Sequence, residues 1–537
     1  MEVVTPKVTD NGDRMEIVQN KAVLVNTRAP NKITEVITDA HVVKEVPLSK
    51  GQTGYTVAVK WTLRNTKILR NLGFKKTPSP ITGKYNWPGV YTPMKHQVET
   101  AAFMTLHPRA FCLNDMGTGK TMSCAWAADY LMTLGIIKRV LIVAPLSILD
   151  TAWRADLFKS VMHRRVDIAH GAPDKRRAVI RSGAEFVIIN YDGIEVVHKE
   201  LLTGGFDLII CDEASALKNS NIKRWKLMNQ LVTPETWLWL LTGTPAAQSP
   251  DEAYGLAKLV NPKSVPKHHG SFKDMVMYKV STFRYVPRPD AQATVHRVLQ
   301  PAVRFTKEEC MDLPEMTYTD REIPLSPQQA KYYNQLKQEL LVQAAGEEIS
   351  AINAAVEMNK LLQISAGAVY SDTGGVVQFD CTSRLNELVE IIEQAAHKVL
   401  IFANFKHSIE IIQEHLSKHK ITNAAISGDV SLNRRSELIE NFQRTPDPHV
   451  LVIQPQAASH GITLHAADTI VWWSPIPSVE YYLQANARVH RAGQKNPCTV
   501  IHLFGSGVER QMYKRLQAKK EDQASLLAMY KEVIGLT

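Results

Sequence analysis

The chain has 537 residues, 45% hydrophobic and 22% charged, with 63 basic against 53 acidic side chains and a net charge of +10. That length is too great for one hydrophobic core and predicts three or four domains, and the composition is that of a globular protein rather than a disordered one. The positive balance favours a polyanionic partner, while six scattered cysteines without a CxxC pair argue against a zinc site or a disulfide framework.

The first residues, MEVVTPKVTDNGDR, lack the basic-then-apolar layout of a signal peptide. The longest apolar runs, such as 140–149, are too short to span a bilayer, so a cytoplasmic protein with no membrane partner is expected. Residues 54–62 alternate like a strand, 67–73 suggest a short helix ending at Gly73, and 77–89, rich in Pro and Gly, suggest a linker. The basic run 67–76 suits either a DNA-binding helix or a solvated helix face. Residues 1–85 are therefore expected to form a small accessory α+β module.

From about 90 to 250 the pattern becomes strand, loop, helix, with strands expected at 110–115, 139–145, 185–190, 207–213 and 238–245. Continuous apolar strands followed by helices predict a parallel sheet covered on both faces. Residues 251–395 are more helical, most clearly at 326–348. A second strand–helix series follows, with strands at 397–404, 422–428, 449–455, 469–475 and 498–504. The chain thus reads as two tandem α/β lobes, each with its loops gathered at the carboxyl ends of its strands, where such sheets bind ligands. Trp472 and Trp473 follow an apolar strand and are expected to pack in the core or on a lobe surface.

Four motifs carry chemistry. Residues 114–121, NDMGTGKT, sit between a strand and a helix, the context of a phosphate-binding loop. Gly117 and Gly119 would let backbone N–H groups turn inward, Lys120 would reach the β/γ oxygens, and the Thr121 hydroxyl would ligate Mg2+; Met116 and Thr118 lie within the same loop. Asn114 stands where the strict pattern has glycine. Asp212 and Glu213 end an apolar strand, the first placed to hold Mg2+ and the second to orient and deprotonate the attacking water. Thr242 and Thr244 end the next strand, where small hydroxyls could report on the γ-phosphate. Gln97, ahead of the loop, carries an amide suited to an adenine edge.

Far downstream, residues 484–494 read QANARVHRAGQ. Arg488 and Arg491 would share a face if this stretch is helical, and two guanidiniums on one face want an anion. If this segment meets the phosphate loop, ATP sits between two lobes and hydrolysis can drive their motion.

In order, MKHQ, NDMGTGKT, IVAPLSILDTAW, ICDEAS, LTGTP, RFTKEECMDLPEMT, KVLIFANF, ISGDVSLNRRSELIENFQ, ASHGITLHAADTIVWW and QANARVHRAGQKNP resemble the SNF2/SWI2 group of helicase superfamily 2. The resemblance covers roughly 90–520, and its RxHRxGQK ending and TKEE…DLP segment are particular to that group. It implies an α/β fold of two RecA-like parallel-sheet lobes with a helical insertion: lobe 1 at 86–255, the insertion at 256–380, lobe 2 at 381–510 and a C-terminal helix at 511–537. It implies DNA-stimulated hydrolysis of ATP with Mg2+, coupled to tracking along duplex DNA by a monomer. Carried over by position, Gln97 contacts adenine, Gly119, Lys120 and Thr121 bind phosphate and Mg2+, and Asp212 and Glu213 are the catalytic acids. Arg488 and Arg491 become arginine fingers, with Gln484 opening their motif. Backbone-gripping DNA contacts are implied at Pro145, Ser147, Asn190 and Tyr191 in lobe 1 and at Asn404, Phe405, Gly428 and Gly461 in lobe 2. Ser215, where relatives often carry His, and the unusual 454–464 loop depart from the group and bear on coupling between the lobes. The N-terminal module is expected to recognise forked or branched DNA. A strand-separating helicase and a non-catalytic DNA-binding descendant remain open alternatives.

Overall fold

A computed structural model describes residues 15–47, 53–243, 245–246, 249–280, 285–310, 312–344, 351–370, 375–458, 462–491, 493–518, 529 and 532–533. The N-terminal part is a four-stranded antiparallel sheet in the order Met15–Val18, Ala22–Thr27, Thr53–Lys60, His41–Pro47. Helix Leu63–Asn71 is capped by the Thr62 hydroxyl, which accepts from the Asn65 amide, and Leu69 joins Val23, Val25, Val57, Val59 and Trp61 in a small core. The helix stops where Gly73 takes φ +106°.

The stretch expected as a linker is instead packed. Thr77, Ser79 and Ile81 are fully buried, the Trp61 indole donates to the Pro78 carbonyl, and Trp87 meets Trp126 edge-on at 5.6 Å. Its prolines and glycines shape a close-fitting path, and the aromatic side chains between them supply the burial.

The first large sheet has seven parallel strands in the order Ala302–Val303, Arg109–Cys112, Trp237–Leu241, Leu208–Asp212, Val140–Ala144, Phe186–Asn190, Val166–Ile168. Alternate residues feed two cores: Leu141, Val143, Ile209 and Cys211 face one, while Val140, Ile142, Leu208 and Ile210 face the other. Burial on both faces is why these strands are continuous apolar runs. The second sheet has six parallel strands, Met316–Glu322, Cys498–Phe504, Ala467–Trp472, Lys398–Phe402, Val450–Ile453, Asn423–Ile426. Trp472 and Trp473 are fully buried in its core. Two RecA-like α/β lobes are thus in place. The region 256–380 holds helices such as Pro327–Ala344 and Ala351–Ser365 and also gives one edge strand to each sheet. Among the described residues no helix is long and apolar enough to cross a membrane.

Candidate active site

Parallel strands place their carboxyl ends on one edge, so the loop after Cys112, the Asp212–Glu213 pair and Thr242 converge. The Thr242 amide donates to the Cys112 carbonyl, and Gly243 lies against Met116. The phosphate loop turns on Gly117 (φ +83°) and Gly119 (φ +80°), the latter immediately ahead of helix Lys120–Thr133. A Cβ on Gly119 would lie 2.1 Å from Gln97 Nε2, so any side chain there would displace the Gln97 amide.

Lys120 donates to the carbonyls of Asn114 (2.8 Å) and Asp115 (3.2 Å) of its own loop. The Gln97 amide faces the loop, donating to the Thr118 carbonyl at 3.3 Å and accepting from the Met94 amide at 2.9 Å. His96 also bonds the Thr118 carbonyl, and the Thr118 hydroxyl donates to the Asp115 carbonyl, closing the turn. Asn114, the departure from glycine, is fully buried: Nδ2 donates to the Thr100 hydroxyl and Oδ1 accepts from the Phe305 amide. Its side chain ties the loop to the segment that leaves lobe 1.

Asp212 is held by the Trp153 indole, which donates to Oδ2 at 2.8 Å, and by the Glu213 amide on Oδ1. Burial, then the adjacent Glu213, pushes its carboxyl up to about 6, and Lys120 opposes this. Glu213 itself sits at φ +48°, an uncommon conformation for a residue with a Cβ and one found at functional sites. Among the described residues no three His, Cys, Asp or Glu side chains form a ligand cluster. The donor set nonetheless fits Mg2+, which needs only one or two protein oxygens beside phosphate and water; Thr121 and Asp212 would supply them.

Arg488 and Arg491 are not on a helix, contrary to their spacing. Helix Val479–Asn486 ends at Ala487, and both arginines lie in the turns beyond it. Tertiary bonds dictate this: the Leu464 amide donates to the Arg488 carbonyl, Arg488 Nε donates to the Ala458 carbonyl, Arg491 Nη1 donates to the Ile462 carbonyl, and Val489 is fully buried. The turns carry the pair to lobe 1. A Cβ on Gly117 would stand 3.5 Å from Arg491 Cβ, so the arginine-bearing turn of the second lobe lies beside the phosphate loop. Burial and Arg491 push the Arg488 guanidinium down to about 10, while Glu213 and Asp212 of the facing lobe pull it back up. Arg491 is lowered by burial and supported by Asp156, a residue missed in the sequence.

Gln484 is buried and lines a cavity of ≈ 430 Å³ together with Pro145, Asn190, Tyr191, Glu213 and Ser215. Two of the implied DNA contacts are occupied in the fold. Asn190 Oδ1 accepts from Arg176, and the Tyr191 hydroxyl donates to the Asp212 carbonyl. In lobe 2, Gln454 donates to the Asn404 carbonyl and accepts from the Gly428 amide, while Gln456 donates to Asn404 Oδ1. The unusual 454–464 loop therefore organises Asn404 and Gly428 by its glutamines. Phe405 is buried and stacks on His407, with ring centroids 5.5 Å apart. Ser147 lies half-buried in the short helical turn Leu146–Ile148 that follows strand Val140–Ala144. Gly461 and Thr244 lie outside the described residues.

Two parallel-sheet lobes, a phosphate loop with paired carboxylates on one and an arginine pair from the other against that loop, define an ATP hydrolase core. Residues 96–368, just over half of the chain, match the SNF2-related domain, and 383–493 match the helicase conserved C-terminal domain. The chain belongs to the SNF2-related family. It is 24% identical over 421 residues to an uncharacterized ATP-dependent helicase of Mycoplasma genitalium, covering 76% of this chain and 39% of that protein. Over 462 residues it is 25% identical to a Caenorhabditis elegans homolog of SWI/SNF-related matrix-associated actin-dependent regulator of chromatin subfamily A-like protein 1, covering 85% and 64%. Among solved structures it is similar to a Sulfolobus solfataricus SWI2/SNF2 ATPase core in complex with dsDNA, at 22% identity and a TM-score of 0.40, over 84% of this chain and 94% of that one. The chain spans between about two fifths and two thirds of the length of these curated relatives.

Proposed function

We propose that the chain couples ATP hydrolysis to translocation on duplex DNA and so remodels DNA or protein–DNA structures such as forks and junctions. The observation that carries this reading is the meeting of Arg491 with Gly117 across the two lobes. In it, Lys120 leaves its loop carbonyls for the β/γ oxygens, and Glu213 orients and deprotonates the attacking water. Arg488 and Arg491 receive the charge that develops on the transferred phosphoryl group. Thr121 and Asp212 would hold Mg2+, which neutralises phosphate charge. Desolvation disfavours the anionic Asp212 carboxyl, and a cation at that position would offset that cost. Because both lobes contribute to one site, hydrolysis alters their relative position, and a second set of contacts on each lobe turns that change into a step.

The DNA grip would come from Pro145 and Ser147 on lobe 1 and from Asn404 and Gly428 on lobe 2, through phosphates rather than bases, as a motor indifferent to sequence requires. The net charge of +10 supports a polyanionic track. Residues 1–85 would contribute recognition of branched DNA.

Steady-state ATPase measured with single-stranded, duplex and forked DNA and with RNA tests this, with Lys120→Ala and Arg491→Ala as controls. Duplex DNA is expected to stimulate wild type most, and either substitution should reduce the rate roughly 10³-fold or more while DNA binding persists. No stimulation by DNA, or unchanged hydrolysis in Lys120→Ala, would overturn the reading.

A further inference from the structure

The segment between the two sheets is bonded to both halves of the site. Its start runs beside the phosphate-loop strand: Phe111, Leu113 and Asp115 donate their amides to the carbonyls of Pro301, Val303 and Phe305. The Lys307 amide then donates to Asp115 Oδ2 at 3.3 Å, inside the phosphate loop. From that anchor the Lys307 side chain crosses to lobe 2, where Nζ donates to the His490 carbonyl at 3.1 Å. His490 is the residue before Arg491, and its ring bonds the Pro314 carbonyl at 2.8 Å, so the same segment holds it from a second side. Over Gly117 the two chains meet: a Cβ there would lie 3.5 Å from Arg491 Cβ and 3.7 Å from Lys307 Cε.

We propose that Lys307 is a positioning residue that latches the arginine-bearing turn over the phosphate loop, making lobe closure and the state of the loop one event. The proposal rests on the ATP-hydrolysing reading above and deepens it. Three facts favour a latch over a solvated lysine. Its backbone and side chain are bonded to different lobes. Its acceptor is the peptide carbonyl adjoining a guanidinium that the reaction would use. It also occupies an unfavourable place for a cation without purpose, since burial, then Arg491, pushes its ammonium down to about 8. A loop that shifts on binding triphosphate moves Asp115 and with it the Lys307 backbone, and the ammonium carries that movement to His490 and Arg491. Lys307 acts through Arg491 rather than on the nucleotide.

The test compares Lys307→Met, which keeps length and packing, with Lys307→Arg, which keeps a donor, in the full chain. With saturating duplex DNA, Lys307→Met is expected to lower kcat about tenfold or more, the worth of one charge-assisted hydrogen bond. KM for ATP should change less than about twofold, and Lys307→Arg should recover to within about threefold of wild type. Placed on Arg491→Ala, Lys307→Met should cost less than about twofold, because the group it positions is gone. Lobe closure is read without turnover by energy transfer between dyes at exposed Lys226 and Arg444, in ADP–aluminium fluoride with duplex DNA. Wild type and Lys307→Arg should close, and Lys307→Met should stay open. An unchanged kcat in Lys307→Met, a rise in KM alone, full additivity with Arg491→Ala, or equal closure in all three proteins would each overturn the latch. Wild type that hydrolyses no ATP would sink the functional reading instead, and the closure measurement would still decide the latch.

Discussion

The two loop glycines make the same bend for different reasons, and substituting each by alanine separates them. Gly117 takes φ +83°, and the nearest atoms to an added Cβ are 3.5 and 3.7 Å away, ordinary contact. Gly117→Ala therefore carries only the left-handed backbone cost, roughly 1–2 kcal/mol, which is about 5–30-fold in an equilibrium. Gly119 takes nearly the same φ, +80°, but its Cβ would lie 2.1 Å from Gln97 Nε2 and 3.2 Å from Gln97 Cδ. The amide must swing out, surrendering its bonds to the Thr118 carbonyl and the Met94 amide. At roughly 0.5–1.5 kcal/mol each, the total for Gly119→Ala reaches about 2–5 kcal/mol. Binding of a fluorescent ATP analogue measures both. Gly117→Ala should weaken it about 5–30-fold, and Gly119→Ala about 5–150-fold more. Adding Gln97→Ala to Gly119→Ala should cost nothing further, since the clash has already expelled that amide. Equal affinities for Gly117→Ala and Gly119→Ala would refute the steric argument and leave only the backbone one.

Two further outcomes concern the frame of lobe 2. Arg384 makes a bidentate pair with Glu509, at 2.8 and 2.9 Å, at a site where Glu509 has no solvent exposure. Arg384→Met leaves that buried carboxylate without its cation, with only the Gly505 and Ser506 amides and the Ser506 hydroxyl still donating to Oε2, and should lower urea-unfolding stability by about 3 kcal/mol or more; a loss under about 1 kcal/mol would show that the pair is dispensable. His407 is 5% exposed, finds no hydrogen-bond partner among the described residues on either ring nitrogen, and burial pushes it down to about 4. A lowered histidine pKa means the folded state resists protonation, so stability is whole above the unfolded value near 6.5 and falls as pH drops towards 4. His407→Phe should therefore gain on wild type by on the order of 1–2 kcal/mol between pH 7.5 and 5, and urea melts showing no relative gain would contradict this.

How much was legible follows from what kind of signal each feature leaves. Interior strands such as Val140–Ala144 and Leu208–Asp212 are buried on both faces, and that burial writes itself as an unbroken apolar run. Edge strands leave no such run. Met316–Glu322 is exposed along nearly its whole length, and Ala302–Val303 has only two residues, so both went unseen. Lys120, Asp212 and Glu213 are set by local turns, so short motifs are enough to mark them as candidates. The helical face expected for Arg488 and Arg491 failed because long-range bonds to Ala458, Ile462 and Leu464, not spacing, fix those turns. Lys307 lay in plain view within TKEE, but its partners, Asp115 and His490, are separated from it by nearly two hundred residues in opposite directions along the chain.

The N-terminal sheet has a consequence of its own. Asp129, on the helix that begins with Lys120, accepts from the Tyr85 hydroxyl on one oxygen and bonds His163 and Arg164 on the other. Trp126 of that helix donates to the Pro88 carbonyl, and Trp87 abuts its ring. The 77–89 segment, bonded to the end of the accessory sheet through Trp61 and Pro78, is thus keyed into the very helix that anchors the phosphate loop. On the translocation reading proposed above, that anchorage would keep the accessory module in register with lobe 1 while lobe 2 moved, so each step would be measured from a fixed bench mark rather than from a swinging arm.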